Sequence, residues 1–211
     1  MDIGVFIFDT DYSINISELA RELEERGYES LFVPEHTHIP TSRRSPFPGG
    51  GELPKHASHT LDPFVSLGFA AASTKNLKIG TGICLLPQRD PIVTAKSIAS
   101  LDLMSEGRFV LGLGGGWNVD EMENHGVTYK TRFAMMKEHV LAMKSLWVDE
   151  EAEFHGKYIN FDKSWAYPKP VQKPYPPILM GGETDYTLKR VVDYCDGWFP
   201  RGRGGFDAGG S

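Results

Sequence analysis

The chain has 211 residues, 40% of them hydrophobic and 24% charged, which gives an ordinary globular composition with room for one sizeable core. A formal net charge of −6 argues against a nucleic-acid partner or an anionic-membrane surface, since both reward excess Lys and Arg. No apolar run approaches the ~20 residues of a membrane span. The opening MDIGVFIFDTD lacks a cationic leader region, and Cys84 and Cys195 stand apart beside apolar residues. The expectation is a cytoplasmic protein with two reduced thiols.

Residues 3–8 form an apolar run closed by Asp9-Thr10-Asp11 and predict a buried strand. Ile16, Leu19, Ala20 and Leu23 then repeat at helical spacing, with Gly27 as a stop signal. Residues 31–33 predict a second strand, ending at Pro34-Glu35-His36. Residues 37–60 are rich in Pro, Gly and Ser without any period, as expected of a lid or binding loop. Asp62-Pro63 reads as an N-cap followed by Pro at the first helical position, and Asp90-Pro91 repeats the device. The helices they open are expected to reach about residues 73 and 105. Between them, residues 77–85 predict a third strand.

A fourth strand is expected over residues 108–113, leading into Gly114-Gly115-Gly116-Trp117. Phe133, Met136, Val140, Met143 and Trp147 share one helical face, and residues 153–161 suggest a small hairpin. Residues 177–180 predict a fifth strand ending in Gly181-Gly182. A helix over 185–194 and a sixth strand over 197–199 follow. The tail RGRGGFDAGGS, residues 201–211, cannot form a core element and is expected to be disordered, leaving residues 1–200 as one domain. Strands alternating with amphipathic helices mean parallel βαβ units. The pattern alone leaves open whether the sheet is an open one or a barrel.

In either architecture ligands gather at the C-terminal strand ends. Those ends present Asp9 and Asp11, then Glu35 and His36, then the glycine run with Trp117, then Gly181-Gly182, and finally Arg201 and Arg203. The glycine run fails as a dinucleotide fingerprint because Trp117 stands where a glycine is needed, and no GK[ST] follows it. What survives is that glycines at a strand end admit a flat ligand close to the backbone. Gly181-Gly182-Glu183-Thr184 before a helix suits phosphate, the alternative being a tight turn. His36-Thr37-His38 could be half of a metal pair. The other histidines, at 56, 59, 125, 139 and 155, do not fall at strand ends, so no metal is expected. A single working His36 is the better reading; a surface histidine is the alternative. Trp198 and the Met135-Met136 pair read as core, and Trp117 stands between core and site.

The stretch GTGICLLPQRDPIVTAKSIASLDLMSEGRFVLGLGGGW at 80–117 resembles the luciferase-like monooxygenases. PEH at 34–36, RFAMMKEHVLAMKSLW at 132–147, KPVQKPYPPILMGG at 169–182 and DGWFP at 196–200 extend the likeness. The chain is most similar to the branch that uses the 8-hydroxy-5-deazaflavin coenzyme F-420. The resemblance implies a TIM-type (β/α)8 barrel, with about six strands present and the C-terminal part incomplete. It implies a non-prolyl cis peptide at Gly82-Ile83 behind the cofactor ring and His36 near the reacting face. It assigns the phosphate to Gly181, Gly182 and Thr184, with Arg201 or Arg203. The strand-end residues Glu35, Thr81, Gly114 and Gly116 are expected to complete the cofactor contacts, and Trp117 and Asp9 to line the substrate pocket. Sugar-phosphate dehydrogenases of this branch carry Glu where Trp117 stands, so their chemistry does not transfer.

The function implied is hydride transfer between reduced F-420 and a small organic substrate, by a homodimer. The rivals are an FMN-dependent monooxygenase using molecular oxygen, and a flavin-binding or dimer-partner protein without turnover.

Overall fold

A computed structural model describes residues 2–200. Its elements are β1 (Gly4–Phe6), α1 (Ile16–Glu25), β2 (Ser30–Val33), α2 (Pro63–Ala72), β3 (Lys78–Thr81), α3 (Pro91–Met104), β4 (Phe109–Leu113), α4 (Val119–Asn124), α5 (Arg132–Val148), β5 (Ala152–His155), β6 (Asn160–Ser164), β7 (Ile178–Gly181), α6 (Asp185–Tyr194) and β8 (Gly197–Phe199). Six strands form one parallel sheet in the order β1-β2-β3-β4-β7-β8, while β5 and β6 make a separate antiparallel hairpin. This is the curled sheet of a (β/α) barrel of the TIM type, six strands of it among the described residues.

Each element follows from local chemistry. Asp62 and Asp90 cap α2 and α3, accepting the backbone N–H groups of Phe64 and Val65 and of Val93, with Pro at the first helical position in both. Side chains alternate along the strands. Leu31, Val33, Ile79, Phe109, Leu111, Leu113, Ile178 and Met180 are all buried in the core that packs against the helices. The alternate residues face the concave side, where Phe32 and Phe199 meet at 5.0 Å and Gly82 lies against Phe6, Phe32 and Phe199. Three carboxylates each gather neighbouring backbone N–H groups: Glu24 those of 75–77, Asp102 those of 171 and 172, and Glu138 those of 157–159. They pin connecting segments onto helices.

The differences from expectation lie between strands. The third strand leaves the ladder at Thr81, four residues early; Cys84 rejoins β4 by a single bridge to Leu113 and a 3-10 turn follows at Leu86–Gln88. Pro87, without an N–H, suits a turn better than a central strand. The hairpin extends beyond 153–161 at both ends, from Ala152 to Ser164, with a register shift between Ala152 and Phe154. The helix α4 was not anticipated, and the 37–60 segment carries its own 3-10 turn at Lys55–Ser58. The tail 201–211 lies outside the described residues.

His139 on α5 is fully buried with Nδ1 3.1 Å from the Leu86 carbonyl. Burial pushes its pKa below the ordinary value. As pH falls below about 6.5 the unfolded chain therefore takes up this proton before the folded one. The stability His139 contributes is whole above that pH and is lost below it, by at most about 1.4 kcal/mol per pH unit. The check is the gap in urea midpoint between pH 7.5 and 5.5, which should narrow in His139→Gln. An unchanged gap would refute it.

Candidate active site

Successive residues after β2 go to different partners. Glu35 is 3% exposed, and its two oxygens accept the Leu85 N–H at 2.7 Å and the Arg89 Nε–H at 2.6 Å. Arg89 also reaches Asp62. Glu35 thus ties the end of β2 to the segment after β3 and to the start of α2. His36 instead places Nδ1 2.8 Å from Glu121 Oε2, while Glu121 Oε1 accepts the Thr37 N–H at 3.2 Å. Glu121 on α4 is fully buried and the His36 side chain is 10% exposed. An ionised carboxylate only accepts, so Nδ1 carries the proton and Nε2 is left for the site. Trp117 meets the His36 ring edge-on at 5.7 Å. His38 engages Asn124 and Thr37 and shares no centre with His36.

Sequence reasoning missed Glu121. Its trace was Asn118-x-x-Glu121, a helix-start pattern in which the Asn118 side chain accepts the Glu121 N–H at 3.4 Å.

The 37–60 segment lies over this pair as a fastened cover. Ser42 and the Arg44 backbone N–H both bond Asp120, the Arg44 guanidinium pairs with Asp120 and Glu123, and Ser45 accepts the Val119 N–H. The Ser42 hydroxyl is the main influence holding Asp120 below the usual carboxylate range. The cover brings Phe47 to 6.0 Å and the Arg43 guanidinium to 5.9 Å from the Trp117 ring, and stacks His56 on Phe8 at 3.9 Å. Burial, and next the neighbouring His36, push the His56 imidazole down.

The Gly82-Ile83 peptide is cis, at the position the resemblance indicates. The glycines around it serve internal packing. A Cβ on Gly112 would strike the Thr81 carbonyl, one on Gly114 or Gly181 the Ile83 side chain, and one on Gly115 the Phe133 ring. Gly116 has φ +72° and lies against Met122. Thr81, fully buried, donates its hydroxyl to the Gly112 carbonyl at 2.6 Å.

At the β7 end, Gly182 has φ +124°, and Thr184 caps α6 in a reciprocal pair with Thr187. Arg201 and Arg203 lie outside the described residues. Two other arginines, unforeseen, converge here on Phe133: Arg132 at 4.3 Å and Arg190 at 3.7 Å from the ring centroid. Among the described residues no acid lies within ion-pair distance of either. Burial, with the charge of Arg190 adding to it, pushes the Arg132 pKa down. Asp9 goes elsewhere. It is 4% exposed, bonds Ser66 of α2 and Ser13, and borders a cleft of about 390 Å³ that does not include His36 or Trp117.

Residues 1–208 match the family model of the luciferase-like monooxygenases, and the chain belongs to that family. Over 202 residues it is 43% identical to an uncharacterized protein of Mycobacterium tuberculosis, covering 94% of this chain and 71% of that one. It is 30% identical over 176 residues to the F420-dependent glucose-6-phosphate dehydrogenase of Kineococcus radiotolerans, covering 82% and 48%. Among solved structures, an F420-dependent secondary alcohol dehydrogenase in complex with an F420-acetone adduct matches with TM-score 0.76 at 25% identity, over 94% of this chain and 57% of that one. A monooxygenase from Streptomyces bottropensis matches in fold with TM-score 0.77 at 24% identity, over 91% and 57%. The chain therefore spans a little over half the length of these solved proteins. Among the described residues no helix is long and apolar enough to cross a membrane.

Proposed function

We propose that this protein is an F-420-dependent oxidoreductase that moves a hydride between the deazaflavin and a small organic substrate held beneath the 37–60 cover. The observation that carries the reading is the buried Glu121–His36 pair, which presents an imidazole Nε2 beside Trp117 at the strand ends. The relatives named for F420 support the choice of cofactor.

The residues present fit such a group. Arg132 and Arg190 are two cations without an acid partner among the described residues, brought together on Phe133, with Arg190 on the helix that follows the Gly181-Gly182 turn, which suits an anionic tail. The Gly82-Ile83 segment, with Ile83 packed on Gly114 and Gly181, forms an apolar support for a ring. When bound, the deazaflavin supplies a carbon that accepts or gives up a hydride. His36 takes up or returns the matching proton at Nε2, and Glu121 holds the ring in the orientation and tautomer that make this possible. Trp117, Phe47 and the cover keep water from the reacting side.

Titration with F-420 and with FMN, followed by the absorbance of each, tests the reading. F-420 should bind at least about ten-fold more tightly, a difference of about 1.4 kcal/mol. Tighter binding of FMN, or saturable binding of neither, overturns it.

A further inference from the structure

The cover carries two consecutive arginines with opposite fates. Arg44 is neutralised twice, by Asp120 and by Glu123. Arg43 makes no ion pair among the described residues, and its Nη1 is shielded from solvent without an acceptor. The acids of α4 are already engaged: Asp120 by Ser42 and Arg44, Glu123 by Arg44, and Glu121 by His36 and Thr37. Arg43 also has φ 49°, a left-handed conformation that a side chain-bearing residue seldom adopts and that clusters at ligand clamps. From there its guanidinium lies 5.9 Å from the Trp117 ring, the same ring that meets His36 at 5.7 Å and Phe47 at 6.0 Å.

A partly buried guanidinium without a counter-charge among the described residues, set beside the Trp117 indole, is built to receive an anion. We propose that Arg43 is the specificity-determining residue of this site and that the substrate is an organic carboxylate with an apolar body. The carboxylate takes the guanidinium fork, and the body lies against Trp117 and Phe47 within reach of His36. A phosphate ester is the poorer fit, because a dianion calls for more than one cation and Arg44 is already neutralised. The proposal rests on the Trp117–His36 face being the substrate side.

The test is a fluorescence titration of the full 211-residue protein with phenylacetate and hexanoate, with phenylacetamide as the neutral isostere and inorganic phosphate as the competing anion. Trp117→Phe identifies the responding tryptophan. Both carboxylates should shift the Trp117 emission saturably. Arg43→Gln should weaken them ten-fold or more and Arg43→Lys less, while phenylacetamide binds poorly and equally to wild type and Arg43→Gln. If Arg43→Gln does not fold, judged by circular dichroism, the Arg43→Lys ratio and the wild-type preference for phenylacetate over phenylacetamide decide the matter. No saturable response to either carboxylate, affinity unchanged in the variants, or tighter binding of phosphate each overturns the proposal. F-420 binding is followed separately by its own absorbance. Loss of that binding with Arg43-dependent carboxylate binding intact would sink the oxidoreductase reading and leave the anion site standing.

Discussion

Replacing Glu121 by Gln is expected to lower turnover with F-420 by about 10²-fold, within the range attributed to a positioned acid–base group. The carboxylate does two jobs at once, accepting from His36 Nδ1 and from the Thr37 N–H. A carboxamide has one oxygen and one NH2 group. If its oxygen faces His36, the NH2 meets the Thr37 N–H, donor against donor. If its oxygen faces Thr37, the NH2 turns to His36 and drives the ring to the other tautomer, leaving Nε2 protonated and unable to take a proton. In either orientation the negative charge that faces the imidazole is gone. Since Glu121 acts through His36, its loss in a His36→Ala background should cost little more. Equal and additive losses in the two backgrounds would show that Glu121 only props up α4.

The route by which these residues could be read from sequence was uneven, for physical reasons. Helix starts announced themselves, because Asp62-Pro63 and Asp90-Pro91 act within two or three residues and need no tertiary partner. The parallel strands were legible from their apolar runs. His36 was found by its place at a strand end, but Glu121 lies 85 positions away in the chain, and what joins them is how α4 and the cover pack. The short α4, six residues long, gave no helical period. Glu35 stood at the same strand end as His36, yet alternation sent it to Arg89. Arg132 and Arg190 sit on different helices, and only folding brings both to Phe133. The glycine run was located correctly, while the identity of each close neighbour, Thr81, Ile83, Phe133 or Met122, is a property of the folded sheet.

Those neighbours make the second large effect specific. Gly114→Ala should destabilise the protein by about 2 kcal/mol, in the range of an overpacked core, and weaken F-420 binding with it. The new methyl group would fall on Ile83 Cδ1, while Ile83 Cγ1 stays at an ordinary 3.4 Å. Ile83→Val removes the offending carbon, at a cost of about 1 kcal/mol by itself. The double variant should therefore be more stable than Gly114→Ala alone, a favourable coupling that a double-mutant cycle of urea midpoints can measure. Gly112→Ala is the contrast. Its methyl group would fall on the Thr81 carbonyl, a backbone atom in the adjoining strand, so Ile83→Val should give no relief. If Ile83→Val rescues neither glycine variant, the Gly114 requirement comes from the backbone and the side-chain account of the ring support fails. If it rescues both, the strand backbone yields more readily than a hydrogen-bonded parallel sheet should.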